Sequence, residues 1–151
     1  MHSTCARVLI TATAALAAAP AAGAATLHGT TKDGTKITLK RSGGHVSKIR
    51  TMVPSVCVET TGSGATRAGA EIARPPGSFR LGGGRQKASK LQPAAMNGAT
   101  KATKHYTVSL KRHGRGVKGK VSVNLSFLIP DLFRQLPYMY SCVGTTTFTV
   151  R

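Results

Sequence analysis

The feature that most constrains the fold is a strict alternation of apolar and polar side chains between Val117 and Ile129. Because successive side chains of a β-strand point to opposite faces, this pattern predicts a strand with one packed and one solvated face. The apolar set is Val117, Gly119, Val121, Val123, Leu125, Phe127 and Ile129, and the polar set is Lys118, Lys120, Ser122, Asn124 and Ser126.

The same period of two recurs along the chain, broken at short intervals by turn residues. Asp33-Gly34 favours a tight turn between two such segments, and Pro54 is expected to break the ladder within a third. These patterns predict an all-β fold, an antiparallel β-sandwich or a partly closed barrel of about seven to nine short strands. The predicted segments are 26–31, 36–40, 45–53, 56–58, 105–111, 117–129, 138–143 and 145–151.

Residues 60–104 depart from this regularity. The segment is rich in Gly and Pro and carries eight Lys or Arg against the single acid Glu71. We expect an irregular basic insertion, with short edge strands only near Ala70–Ala73 and Ser78–Leu81. The insertion is predicted to lie within a single domain, residues 25–151.

The first 24 residues have the composition of an export signal. Arg7 precedes a 15-residue apolar run, Val8–Ala22, and Ala22-Gly23-Ala24 offers small residues for cleavage. A membrane-spanning helix needs about 20 apolar residues, so this run predicts a removed signal peptide, residues 1–24, and no transmembrane segment after processing. The mature protein is then secreted or extracellular, or associated with the cell envelope.

Two cysteines remain once Cys5 has been removed with the signal. Cys57 and Cys142 would meet oxidising conditions as a matched pair, which predicts a single long-range disulfide.

The order of these features resembles a largely uncharacterised group of small exported bacterial β-sandwich proteins. The resemblance spans most of the mature chain but leaves out the basic 60–104 segment, and it implies a fold and a disulfide but no activity. It is carried by Leu27-His28-Gly29-Thr30, Gly34, the Ile37/Leu39 alternation, a lone Cys57, Gly77-Ser78-Phe79, and Cys142 ahead of a terminal Thr-Phe-Thr-Val strand.

Catalytic and metal-binding patterns are weak. No Gly-x-Ser-x-Gly elbow occurs, and Val121 stands where the phosphate-binding loop spacing of residues 114–120 would require Ser or Thr. We therefore expect a non-enzymatic protein with no metal and no cofactor, and a small secreted hydrolase remains the alternative. The mature chain has only the acids Asp33, Glu59, Glu71 and Asp131, and its histidines His28, His45, His105 and His113 are isolated.

The strongest remaining signal is charge. The formal net charge is +18, and attraction of anionic polymers to basic patches is the expected consequence. One patch is predicted on a hairpin and one on the long loop: Arg112, Arg115, Lys118 and Lys120, and Arg80, Arg85, Lys87 and Lys90. With no predicted helix and no Trp, specific nucleic-acid recognition is not expected.

A third interpretation is a protein-binding inhibitor or adhesin that uses the 130–137 loop. Leu132, Phe133 and Leu136 would then form an exposed apolar anchor, although such side chains also commonly cover a sandwich core. We expect a monomer in each case.

Overall fold

The alternating segments of the sequence form antiparallel strands. A computed structural model describes residues 23–92, 102–130 and 137–151, and every regular element in those ranges is a β-strand. The strands are β1 (Ala25–Thr31), β2 (Lys36–Ser42), β3 (His45–Glu59), β4 (Thr66–Ala73), β5 (Ser78–Arg80), β6 (Arg85–Gln92), β7 (Ala102–His113), β8 (Gly116–Ile129) and β9 (Tyr138–Val150). The predicted all-β antiparallel fold is confirmed.

The segment 60–104 is far more regular than its composition predicts. The short strands expected near Ala70–Ala73 and Ser78–Leu81 are present as the end of β4 and as β5. The description of the segment as a largely irregular insertion is wrong for its described part, which also contains the rest of β4 and all of β6. β4 and β6 occupy the two ends of the strand order, and each forms a continuous ladder with one neighbour, β3 or β7. An edge strand held by backbone hydrogen bonds needs no buried face along its length, so alternation is a poor guide to it. Residues 93–101 lie outside the described ranges.

Pro54 does not break β3, contrary to the sequence prediction. Along one edge, β3 pairs with β4 from Thr51 to Val58 without interruption. Along its other edge β3 changes partner, from β2 up to Thr51 to β9 from Ser55 onward. Pro54 lies in that gap between partners, so its lack of a backbone N–H costs the sheet no hydrogen bond.

Because β3 changes partner along this edge, β3 and β9 are paired at one end and separated at the other, like the two arms of a fork. The two strands pair directly between residues 55–59 and 140–144, and beyond that point they separate. The β1–β2 hairpin fills the opening, because β2 pairs with β3 and β1 pairs with the end of β9. At the branch, a Cβ on Gly144 would lie 2.5 Å from the Pro54 carbonyl oxygen, so only glycine fits without displacing the neighbouring strand.

One hydrophobic core lies on the inner face of the curled sheet, and every strand contributes to it. Its buried members are Ile37, Leu39, Val46, Ile49, Val53, Ala73, Phe79, Tyr106, Val108, Leu110, Val117, Val121, Val123, Phe148 and Val150, with Leu27, Leu81 and Ala88 packed against them. The β5–β6 turn joins opposite sides of this core, since the Leu81 N–H donates to Gly44 O and the Gly82 N–H donates to Leu110 O, both at 2.8 Å. The arrangement is sandwich-like.

The predicted disulfide is confirmed. Cys57 and Cys142 are directly opposite each other on β3 and β9, on the stem of the fork, and their sulfurs are bonded. A smaller apolar cluster surrounds them, formed by Ala102, Leu125, Phe127 and Cys142 with Cys57, Ile129 and Tyr140 at its margin.

Candidate anion-binding face

The outward side chains of β6 to β9 form a single basic and hydroxyl-rich surface. Pairing aligns Arg85, Ser109, Lys120 and Thr147 in one cross-strand row. The next row is Lys87, Thr107, Ser122 and Thr145, and on the other side Lys111 lies opposite Lys118, which lies opposite Thr149. These eleven residues form the basic face.

The basic face follows directly from strand alternation. On β7 and β8 the buried set includes Tyr106, Val108, Val121 and Val123, so the residues between them point outward. Lys120 and Arg85 are exposed, whereas Thr107, Ser109 and Ser122 are half-buried. The long cationic side chains are therefore more exposed than the short hydroxyl side chains that lie between them.

A groove of about 220 Å³ occupies the centre of the basic face. Its lining is Arg85, Thr107, Ser109, Lys120 and Ser122, two cations and three hydroxyl residues. The Thr145 hydroxyl donates a hydrogen bond to the Ser122 oxygen at 2.8 Å, which orients the Ser122 hydroxyl. We refer to this as the hydroxyl groove.

The described acidic residues lie outside the basic face, and each has its own partner there. No Asp or Glu occurs on β6, β7, β8 or β9. Glu71 forms an ion pair with Lys104, with 2.7 Å between the carboxylate oxygen and Nζ. The Glu59 carboxylate accepts hydrogen bonds from the backbone N–H and hydroxyl of Ser63, and Asp33 accepts one from Thr146. The cations of the basic face thus have no carboxylate on their own strands.

Four of the eight cations selected from the sequence come together on this face: Arg85, Lys87, Lys118 and Lys120. They derive from both predicted patches, which the β6–β7–β8 pairing merges into one surface. Binding at these residues remains a prediction.

The other four lie elsewhere. Arg112 is opposite the buried Val117 near the end of β7, and Arg115 is in the β7–β8 turn, where its carbonyl accepts a hydrogen bond from the Arg41 guanidinium at 2.8 Å. Lys90 is opposite Lys104, on the other side of β6 from Lys87. Arg80 ends β5, and its backbone N–H and C=O both bond the Gln86 side chain, at 2.7 and 2.8 Å.

Sequence reasoning missed Lys111 and the hydroxyl residues of the basic face. Lys111 was recognisable in principle, because the short β7–β8 turn fixes it opposite Lys118. Arg85 and Lys87 were selected from the sequence, but their position beside β7 was not recognisable, since their segment has no alternation and was expected to be irregular.

A second groove, of about 580 Å³, lies next to the hydroxyl groove. His105, Ser89 and Asn124 line it, and pairing places these three in one cross-strand row. Its described lining contains a histidine and serines but no Asp or Glu. Among residues 23–92, 102–130 and 137–151, no group of three or more His, Cys, Asp or Glu side chains is arranged to hold a metal ion.

Two predicted features, the apolar anchor of the 130–137 loop and the export signal, fall largely on residues that the structure does not describe. Asp131, Leu132, Phe133 and Leu136 lie outside the described residues, as do residues 1–22 of the predicted signal. In the described part of the chain, no helix is long and apolar enough to cross a membrane.

Comparison with protein-family models, curated proteins and solved structures finds no match for this chain.

Proposed function

We propose that this chain is an exported, non-enzymatic protein that associates with anionic polymers of the cell envelope or its surroundings through the basic face. The observation that carries the proposal is the placement of five cations on three consecutive strands that contain no acid: Arg85, Lys87, Lys111, Lys118 and Lys120. Such a surface attracts polyanions and raises their local concentration.

The spacing of the cations suits a linear polyanion. Neighbouring strands are about 4.8 Å apart, and outward residues on one strand repeat about every 6.8 Å. A polymer lying on the sheet would therefore meet donors at short intervals in both directions. Each exposed ion pair contributes about 1 kcal/mol or less, so affinity would come from several simultaneous contacts.

The opposed lysines give independent support. Lys111 and Lys118 are directly opposite each other, and like charges in that relationship destabilise an antiparallel sheet. A bound anion between them would relieve the repulsion. If these two positions only stabilised the sheet, a lysine opposite an acid would do so better than two opposed lysines.

Export is supported by the disulfide, which forms and persists in oxidising compartments. The resemblance to small exported bacterial β-sandwich proteins remains a prediction. For the alternative of a secreted hydrolase, the best location is the row of His105 and Ser89, whose described groove lacks a carboxylate.

The test is retention of the processed protein on an immobilised polyanion such as heparin across a salt gradient. The variant Arg85→Gln/Lys118→Gln/Lys120→Gln removes three charges from the basic face. Arg50→Gln/Arg67→Gln/Arg74→Gln removes three exposed charges elsewhere and is the matched control.

We expect the first variant to bind about 10- to 100-fold more weakly and to elute at clearly lower salt, because up to 1 kcal/mol is lost at each contact. Equal effects of the two variants would indicate attraction by net charge alone. Elution of the unmodified protein at very low salt would remove the proposal altogether.

A further inference from the structure

We propose that the hydroxyl groove binds one tetrahedral oxyanion, a phosphate or sulfate group carried by the polymer. This inference rests on the proposed function and goes further, because it names the chemical group that is recognised. A surface that attracts by charge alone would not discriminate between phosphate, sulfate and carboxylate.

One cross-strand row places two cations on either side of a serine. Arg85, Ser109 and Lys120 are directly opposite one another on β6, β7 and β8. With strands about 4.8 Å apart, the two cations flank the short serine at a separation of about 10 Å between their backbones. Their long side chains therefore border a space whose floor is a hydroxyl group.

The hydroxyl groove contains many hydrogen-bond donors. An Arg guanidinium has five N–H donors in a planar fork, a Lys ammonium has three, and each Ser or Thr hydroxyl has one. Because the Ser122 oxygen already accepts from Thr145, its own hydrogen is available to a ligand in the groove. Thr107 and Ser109 add two more hydroxyls in adjacent rows.

This set of donors matches a tetrahedral oxyanion better than a carboxylate. Donors on three strands and in two rows approach a ligand from several directions. The oxygens of a phosphate or sulfate group point in different directions and can use such donors, whereas the two oxygens of a carboxylate lie in one plane. The groove volume of about 220 Å³ has room for such a group together with water molecules, each of which occupies about 30 Å³ in the liquid.

The cations of the hydroxyl groove have no competing carboxylate on their own strands. No acid is present on β6 to β9, so the Arg85 and Lys120 charges have no carboxylate partner on those strands. The ion pair of Lys104 with Glu71 shows what an internally neutralised lysine on β7 looks like in this fold. Arg85 and Lys120 instead are exposed beside polar hydroxyl groups.

The experiment titrates the processed, disulfide-bonded protein with inorganic phosphate, sulfate and acetate at constant ionic strength, and follows backbone amide shifts by NMR. We expect phosphate or sulfate to produce saturable shifts centred on residues 85, 107, 109, 120 and 122, and acetate to produce none. Equal responses to all three anions, or shifts centred on Lys111 and Lys118, would overturn the inference.

Variants test the hydroxyl contribution. Ser109→Ala/Ser122→Ala is expected to weaken phosphate and sulfate binding about 5- to 30-fold, since each lost hydrogen bond is worth about 0.5–1.5 kcal/mol. Thr26→Ala/Thr30→Ala removes two exposed hydroxyls from β1, outside the basic face, and should change binding less than twofold. Lys120→Gln is a second variant, also expected to weaken binding. Unchanged binding in both Ser109→Ala/Ser122→Ala and Lys120→Gln would contradict the assignment.

Polymers separate this inference from the broader proposal and identify the source of the oxyanion. Polyphosphate, dextran sulfate and polygalacturonate carry phosphate, sulfate and carboxylate groups. Stronger retention on either of the first two supports the inference and names the group. If all three retain the protein equally through the basic face, the proposed function stands and the hydroxyl groove inference fails. If none does, both fail.

Discussion

Asp33, in the turn between β1 and β2, accepts a hydrogen bond from the buried hydroxyl of Thr146 on β9. The adjacent Lys32 N–H donates to the Thr147 carbonyl at 2.8 Å, so the turn is fastened to β9 by two neighbouring residues. A residue that the sequence suggested for turn formation thus also satisfies a polar group in the interior.

Replacing Asp33 should therefore destabilise the fold through Thr146. In Asp33→Ala the buried hydroxyl loses its acceptor, at a cost of about 1–3 kcal/mol in the free energy of unfolding. In a double-mutant cycle with Thr146→Val, measured by denaturant unfolding, the second change should recover part of that cost. Strictly additive effects would show that the two side chains do not interact.

The disulfide should provide a large share of the stability. Closing the 85-residue separation between Cys57 and Cys142 stabilises the folded state by about 4–5 kcal/mol in the chain-entropy model. Cys57→Ser/Cys142→Ser should lower the guanidinium midpoint accordingly, and a reducing agent should do the same to the unmodified protein. A midpoint that does not respond to reduction would contradict this role.

The branch point of the fork should tolerate no side chain at residue 144. In Gly144→Ala the new Cβ would lie 2.5 Å from the Pro54 carbonyl oxygen and 2.9 Å from a Val53 methyl carbon, so strands must move apart. We expect a loss of about 1–3 kcal/mol in the free energy of unfolding, as for other overpacked sites. Gly44→Ala is the control, since no atom lies within 4 Å of its added Cβ, and it should change stability by less than about 0.5 kcal/mol. Similar thermal melting of both variants would refute the steric argument.

The Glu71–Lys104 pair should link β4 to β7 more strongly than a surface ion pair would. The two side chains are only 19% and 12% exposed. Glu71→Gln should cost about 1–3 kcal/mol, between the values typical of exposed and of fully buried pairs. Lys90→Gln, which removes the exposed lysine opposite Lys104, should have an effect below about 0.5 kcal/mol. Comparable effects of both changes on the urea midpoint would indicate that the ion pair contributes no more to stability than an exposed lysine does.

Local periodicity predicted the strands that have one buried face, and it predicted little else. β8 and the β1–β2 hairpin were recognisable because their alternation and turn residues are consistent with each other. β6 and the first half of β4 were not, since their order depends on backbone pairing with β7 and β3. The continuity of β3 through Pro54 depends on a change of partner that only the tertiary structure creates.

The candidate site was predictable to a similar degree. Lys118 and Lys120 were correctly placed on the exposed side of β8, which alternation alone determines. Their association with Arg85 and Lys87 required the pairing of β6 with β7, a contact that no sequence pattern indicated. The separation of Arg112 and Lys90 from the rest follows from the same register.

The fork between β3 and β9 makes the whole sheet dependent on one strand. β9 pairs with β1, β3 and β8, which together extend from Ala25 to Ile129, so it joins segments that are far apart in the chain. Without Tyr138–Val150, the β1–β2 hairpin would lack one of its two neighbours and Cys57 would lack the cysteine to which it is bonded. Because these contacts connect distant segments, we expect folding to be slow and the closure of the sheet to be cooperative.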